Sequence, residues 1–113
     1  MKTITLLTKP IPVNQKYFVV RGRMLLSTKY RDAKEAMQWE VKSQWKREPL
    51  QDDVTLNIMF YYGDNRKRDI DAYLKILLDS MSGIVYEDDS LINEMHCFKE
   101  VDKKNPRIII QVL

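Results

Sequence analysis

Two aspartates and a lysine stand close together in the middle of the chain, directly after three cations. The cations are Arg66-Lys67-Arg68, the aspartates are Asp69 and Asp71, and Lys75 follows four residues after the second aspartate. Carboxylates without a nearby cysteine or histidine favour a hard cation, so the pattern indicates Mg²⁺, for which Mn²⁺ can substitute, rather than zinc. A lysine beside such an ion can neutralise a phosphate or the charge that develops during its hydrolysis. The stretch therefore predicts metal-dependent chemistry on a phosphodiester.

The spacing of the two aspartates predicts the local backbone. On a regular helix residues i and i+2 diverge by about 200°, whereas in extended chain they share a face. If both carboxylates hold one ion, the chain is still extended there, Asp71 is the helix N-cap and Ala72 is the first helical residue. The helix amides and the neighbouring cations then favour ionised carboxylates. Lys75 would lie one turn into the helix, on the face of Asp71.

Two carboxylates are few for tight metal binding, so a third is expected from elsewhere. Asp88 and Asp89 follow the second predicted helix and a short apolar run, and a strand-like geometry would let one of the two point inward. The alternative is structural: a capped helix with a surface Asp71–Lys75 ion pair contributing a few tenths of a kcal/mol. The basic run before the aspartates and the Asp-Asp pair after them favour the functional interpretation.

Composition and charge narrow the class of protein. At 113 residues the chain is expected to be one domain, residues 1–113, with a thin stability margin that a dimer interface would improve. Residues 1–50 hold 11 Lys/Arg against 4 Asp/Glu, and residues 51–113 hold 8 against 12. A basic half and an acidic half suit a nuclease that attracts a polyanion and holds a cation, although chance scatter over solvated faces explains the charge alone equally well.

The N-terminal residues and the cysteine content indicate the cellular compartment in which the protein is expected. No apolar run is long enough to span a membrane, and the first residues lack both the apolar length and the cleavage site of a signal peptide. Cys97 is the only cysteine, so neither an internal disulfide nor a cysteine-based zinc site can form. A cytoplasmic protein that makes no membrane contact is expected.

The apolar periodicity predicts an α+β domain with a mixed β-sheet and two main helices. The predicted elements are a strand over residues 3–8, a hairpin around Gly22, a helix from Ser27 or Thr28 to about Glu48, a strand over residues 54–62, a helix from Ala72 that stops at Gly83, and strands over residues 91–101 and 107–113. Arg21 and Arg23 would flank the hairpin tip, as phosphate contacts or as a solubilising turn. Trp39 lies off the apolar stripe of the first helix, and packing at its edge is favoured over base stacking or contact with a partner.

At these residues the chain resembles the RusA family of Holliday junction resolvases. Members of that family carry an Arg-rich run, R-D-x-D-N, a lysine four residues past the second Asp, a helix, and a Gly-aromatic-x-Asp-Asp segment. The corresponding residues here run from Arg66 to Lys75 and from Gly83 to Asp89. The segment from Pro10 to Tyr17 is similar to the family's proline-then-Asn-x-x-Tyr opening, and Arg21-Gly22-Arg23 follows it. The likeness covers nearly the whole chain.

The resemblance implies a role for each of these positions. Asp69, Asp71 and Asp89 would hold the metal, with Asp88 less favoured, and Lys75 would be the catalytic lysine. The chain departs from the family pattern at Ala72, where members have Asn, so any polar contact of that amide is missing. The residues expected to contact DNA are Arg66, Lys67, Arg68, Arg21, Arg23, Asn14 and Lys16.

Fold, activity and partners follow from the same resemblance. It implies a RusA-like homodimer that cuts four-way or branched DNA by Mg²⁺-dependent, paired and symmetric phosphodiester hydrolysis in DNA recombination and repair, without an organic cofactor. Two symmetric cuts need two active sites related by a two-fold axis. One rival hypothesis is a branched-DNA-binding protein whose acidic cluster is only structural. Another is a DxD sugar-nucleotide transferase, whose larger nucleotide-binding sheet argues against it at 113 residues.

Overall fold

The segment with the strictest alternation of apolar residues, Val54–Tyr62, is an interior strand of a four-stranded sheet. It is β4 in the computed structural model, which describes residues 1–113. The remaining strands are β1 (Lys2–Leu6), β2 (Tyr17–Val20), β3 (Arg23–Leu26), β5 (Ile92–Val101) and β6 (Arg107–Val112); the helices are α1 (Thr28–Gln44) and α2 (Leu74–Met81), and short 3₁₀ helices span Val13–Gln15 and Asp89–Leu91.

The main sheet is mixed, as the sequence predicts. Its strand order is β1-β6-β4-β5, with β6 antiparallel to both β1 and β4, and β5 parallel to β4. A parallel pair needs a crossover connection, and α2 lies within the one that joins β4 to β5. Strands β2 and β3 form a separate antiparallel hairpin. The predicted α+β class with two main helices is confirmed.

The core lies between the helices and one face of this sheet. Alternate residues of β4 are fully buried, and they face the same layer as Ile108 and Ile110 of β6. Tyr30, Met37 and Val41 of α1 and Ile76 and Leu77 of α2 join the same cluster of 19 buried hydrophobic residues. The other face of β4 is only half-buried, so the sheet is covered on one side. Neither helix is long and apolar enough to cross a membrane.

Helix α1 begins as predicted and ends earlier. The Ser27 hydroxyl accepts a hydrogen bond from the Tyr30 amide at 3.2 Å, which confirms the N-cap. The chain leaves the helix at Trp45, not near Glu48, because Trp45 turns into the core and is 5% exposed. The prediction that Trp39 packs is wrong: it is 72% exposed, since it lies two residues from Met37 and therefore on the opposite side of the helix.

Helix α1 also covers the free edge of β1. The Thr5 N–H donates to Gln44 Oε1 at 2.8 Å, and Gln44 Nε2 donates to the Thr5 carbonyl at 2.7 Å. The Gln44 side chain thus makes the two hydrogen bonds that a neighbouring strand would make. Beyond Leu6, the amides of Leu7 and Thr8 donate to the Glu40 carboxylate. For this reason β1 ends at Leu6 and not at Thr8 as predicted. The outer edge of β5 has no such cover and stays open.

Candidate active site

The path from β4 into α2 carries most of the predicted site residues. After Tyr62 the chain runs through a loop, and then two successive turns lead into the helix: the Asp69 carbonyl accepts from the Ala72 amide at 3.1 Å, and the Asp71 carbonyl accepts from the Leu74 amide at 3.2 Å. Helix α2 starts at Leu74, with Tyr73 in the N-cap position and no side-chain cap. The predicted extended entry with Asp71 as N-cap is therefore wrong, because backbone carbonyls and not the Asp71 side chain accept the amides that precede the helix.

The predicted carboxylates occupy two exposed segments. Asp69 and Asp71 are exposed in the turns before α2, and Asp89 is exposed in the short 3₁₀ helix before β5. The structure brings no three His, Cys, Asp or Glu residues close enough to hold a metal ion, so these aspartates are not assembled into one ligand cluster. Their chemistry still suits Mg²⁺, since all their donors are carboxylate oxygens.

Asp88 differs from its neighbour Asp89. Its carboxylate caps the short 3₁₀ helix by accepting the Ser90 amide at 3.0 Å. Hydrogen bonding with the Ser90 side chain, and then with this amide, lowers the pKa of Asp88. The Asp89 carboxylate makes no side-chain hydrogen bond. Of the two, Asp89 thus has the carboxylate that is free to bind a ligand.

Lys75 is paired along α2 instead of with the turn that precedes it. Its Nζ lies 3.1 Å from Asp79 Oδ1, one turn further into the helix. The hydrogen bond to Asp79 is the main cause of a raised Lys75 pKa, and the negative charge of Asp89 adds to it. Lys75 is therefore a cation at neutral pH. The Asp71–Lys75 relation that the spacing suggested does not form, because the helix that would align the two starts only at Leu74.

Asp79 joins Lys75 to two further residues. Its Oδ2 accepts a hydrogen bond from the Tyr30 hydroxyl at 3.1 Å and lies 3.7 Å from Lys16 Nζ. Burial and the Asp79 charge raise the Tyr30 pKa, so this hydroxyl stays protonated. Lys16, expected to contact DNA, has a side chain only 17% exposed. The sequence reasoning missed Asp79, although its i+4 spacing from Lys75 was the signal that could have identified it.

A basic cavity of about 340 Å³ lies between the opening segment and the loop before α2. The amide of Val13 donates to the Ala72 carbonyl at 2.9 Å and ties the two segments together. Five cations and no carboxylate line the cavity, which makes it suited to an anion. Lys9 and Lys29, which sequence reasoning did not single out, come from outside the predicted run. The lining residues are Lys9, Pro10, Ile11, Pro12, Gln15, Lys29, Arg66, Lys67, Arg68 and Tyr73.

The three cations of the basic run have different environments. Arg68 is held inside the domain: its guanidinium lies 2.9 Å from Asp64 and 4.2 Å from the centre of the Tyr62 ring, and its carbonyl accepts from Lys99. Arg66 is 70% exposed and pairs with Asp64 at 3.3 Å, and Lys67 is exposed. The run therefore offers two outward cations, with the third anchoring the loop.

The remaining expected DNA contacts lie on the surface. Asn14 is exposed in the first 3₁₀ helix, and Arg21 and Arg23 are exposed at the tip of the β2–β3 hairpin. Arg21 and Gly22 have φ angles of 52° and 76°, which gives the turn that Gly22 predicted.

Comparison with known proteins adds to this geometry. A family model described as Endodeoxyribonuclease RusA matches residues 8–113. The protein named crossover junction endodeoxyribonuclease RusA from Aquifex aeolicus (strain VF5) is 30% identical over 106 residues, which cover 91% of this chain and 83% of that protein. The family match includes the basic cavity, the Asp69 loop, Lys75 and Asp89.

Proposed function

This chain belongs to the RusA family of endodeoxyribonucleases, and we propose that it resolves Holliday junctions by paired, symmetric phosphodiester hydrolysis in DNA recombination and repair. Family membership makes it a nuclease; branched DNA as the substrate and a homodimer as the active form are the proposal. The observation that carries it is the cavity lined by five cations and no carboxylate beside the loop of Asp69. Such a cavity attracts a phosphate backbone next to residues able to support its hydrolysis.

Asp69, Asp71 and Asp89 are the residues that would hold Mg²⁺, with Mn²⁺ able to replace it. The bound ion supplies charge neutralisation at the phosphate and an activated water. All three carboxylates are exposed on turn or 3₁₀ segments outside the core, so an ion from solvent can reach each of them. The Asp88 carboxylate is already engaged by the Ser90 amide at the start of the 3₁₀ helix, and this favours Asp89 as the third ligand.

Lys75 supplies positive charge in this proposal and not a base. Its raised pKa keeps it protonated at neutral pH, and an ammonium can stabilise the negative charge that develops at the phosphate. Asp79 holds Nζ from the helix side and so fixes its position. Lys9, Lys29, Arg66 and Lys67 would bind backbone phosphates around the cavity.

The test uses a labelled four-way junction and a linear duplex, each with and without Mg²⁺. We expect the natural protein to cut the junction only with the metal. Asp69→Asn and Asp71→Asn should each lose cleavage by about a hundredfold or more while junction binding survives. The matched control is Asp53→Asn, an exposed aspartate directly before β4 that is not among the proposed ligands. Undiminished cutting by Asp69→Asn or Asp71→Asn would contradict the assignment.

Binding without cutting would support the rival hypothesis of a DNA-binding protein with a structural acidic cluster. That rival predicts salt-sensitive junction binding that Mg²⁺ does not convert into cleavage. The cavity is tested by the same binding assay. Lys29→Ala should weaken binding and reduce the slope of log K against log salt by about one, whereas Lys46→Ala, exposed beyond the end of α1, should change neither.

A further inference from the structure

A second cavity, of about 240 Å³, lies at the end of the sheet from which the chain leaves β4. Three segments meet there: the residues that follow β1, the last residues of β4 with the loop after them, and the first residues of β6. The charged residues in its wall are three cations and one carboxylate, namely Lys9, Arg68, Arg107 and Asp64. We call it the end cavity.

Flat groups build the walls of the end cavity. The Arg107 guanidinium lies 4.0 Å from the centre of the Tyr61 ring, and the Arg68 guanidinium lies 4.2 Å from the centre of the Tyr62 ring. Each arginine is also paired with an aspartate at 2.9 Å, and both arginine side chains are largely buried. The two guanidinium planes are therefore held in place by the protein itself.

Such walls suit a flat heterocycle with polar edges. Nucleobases stack on aromatic rings and on arginine planes. Guanidinium N–H groups donate to the carbonyl and ring-nitrogen acceptors of a base, and the Asp64 carboxylate can accept from an amino group. The volume is below the roughly 300 Å³ at which pockets for drug-sized ligands begin, so the cavity has room for one or two rings.

The basic cavity next to it identifies the source of this heterocycle. The two cavities share Lys9, Pro10 and Arg68 in their walls. A DNA strand whose phosphates lie in the basic cavity therefore carries its bases within reach of the shared wall. We propose that the end cavity takes up one unpaired nucleobase of that strand. This inference rests on the proposed function and adds a base subsite to it.

A base enters the end cavity only after it leaves its pair and its stack. Extrusion costs least where pairing or stacking is already interrupted, as at the point of strand exchange in a branched DNA molecule. A linear duplex has no such point, so the subsite adds to the preference for branched DNA. Leu7, an apolar residue of the cavity wall, is 69% exposed and would be covered by the bound base.

The test measures junction binding without metal, with one abasic residue placed in turn at each nucleotide beside the strand exchange. An abasic residue keeps the phosphate and removes only the base. For the natural protein we expect the abasic residue to weaken binding by about tenfold at the position that enters the cavity. At the position paired with it, an abasic residue should tighten binding, because the extruded base then has no partner to leave. A loss of affinity at no position would overturn the base subsite.

Two variants locate the subsite in the end cavity. Leu7→Ala should weaken binding of the intact junction by about threefold and leave the abasic junction unchanged, whereas Leu113→Ala, an exposed leucine at the far end of β6, should affect neither. Arg107→Lys keeps the charge beside Asp102 but loses the flat group over Tyr61. It should also reduce the abasic effect while the slope of log K against log salt stays the same. An unchanged abasic effect in both variants would overturn the subsite.

Cleavage of the intact junction with Mg²⁺ is measured in parallel. A protein that shows the abasic effect but does not cut would support the base subsite while the nuclease proposal falls. Cutting without any abasic effect would overturn the subsite alone. A protein that binds no junction would overturn both.

Discussion

Lys75 Nζ lies 3.1 Å from Asp79 Oδ1, so the lysine is held by a carboxylate deeper in α2 and not by the aspartates that precede the helix. Asp79 has a side chain only 18% exposed and is itself held by Tyr30 and Lys16. An i,i+4 pair on a free helix surface contributes little, but a pair anchored on both sides fixes an ammonium in one place. Asp79 is accordingly a positioning residue for Lys75.

Asp79→Asn should reduce junction cleavage by about tenfold to a hundredfold, because Asn keeps an acceptor for Tyr30 but loses the charge that holds Lys75. Asp79 raises the Lys75 pKa, so its removal lowers that pKa and should move the alkaline limb of the cleavage–pH profile to lower pH. Binding in the absence of metal should be kept. Asp53→Asn is the control, and a pH profile that does not move would show that Asp79 is only structural.

Tyr62→Phe should stabilise the protein by about 1 kcal/mol, because the Tyr62 hydroxyl is buried with no hydrogen-bond partner. Burial is also the main cause that raises the pKa of Tyr62 to about 12. Phe keeps the ring under the Arg68 guanidinium. The transition temperature should rise by about 4 °C. The comparison is Tyr61→Phe, on the half-buried face, which should change the transition temperature little. A fall in the transition temperature of Tyr62→Phe would mean that the Tyr62 hydroxyl has a hydrogen-bond partner.

Gly83→Ala should destabilise the protein by about 1 kcal/mol through the backbone alone. Gly83 has a φ of 83° just after the end of α2, and an added Cβ would meet no atom within 4 Å, so only the left-handed conformation opposes alanine. Gly63→Ala makes ordinary contact with Pro106 at 3.7 Å and needs no positive φ. In urea unfolding, Gly83→Ala should therefore have a lower midpoint concentration than Gly63→Ala. Equal midpoints would contradict backbone strain at Gly83.

Asp102 gives the stability a defined pH dependence. Its hydrogen bond to Arg107, at 2.9 Å, is the main cause that lowers the Asp102 pKa in the folded state. Because the pKa of Asp102 is lower in the folded state than in the unfolded state, its ionised carboxylate stabilises the fold at pH values above the ordinary carboxyl pKa. This stabilisation is lost as the pH falls through the folded-state pKa. Asp102→Asn should thus lower the transition temperature at pH 7, and the difference should vanish at about pH 2. Asp53→Asn should show no such convergence.

Local features of the sequence predicted much of the fold. The alternation in Val54–Tyr62, the Ser27 cap and the stop at Gly83 each depend on a few neighbouring residues, and all three are found as predicted. The errors have distant causes. The end of β1 is decided by Glu40, more than 30 residues away, and the end of α1 by the burial of Trp45. Such contacts leave no local pattern in the chain.

The candidate site divides in the same way. The sequence by itself determined which chemical groups are available: the aspartates, the lysine and the cations between residues 66 and 89, and the family to which they point. Only the tertiary structure decided their partners, bringing Asp79 to Lys75, and Lys9 and Lys29 to the basic cavity. The physical reason is range, because hydrogen bonds and ion pairs act over a few ångströms and the fold chooses which groups come that close.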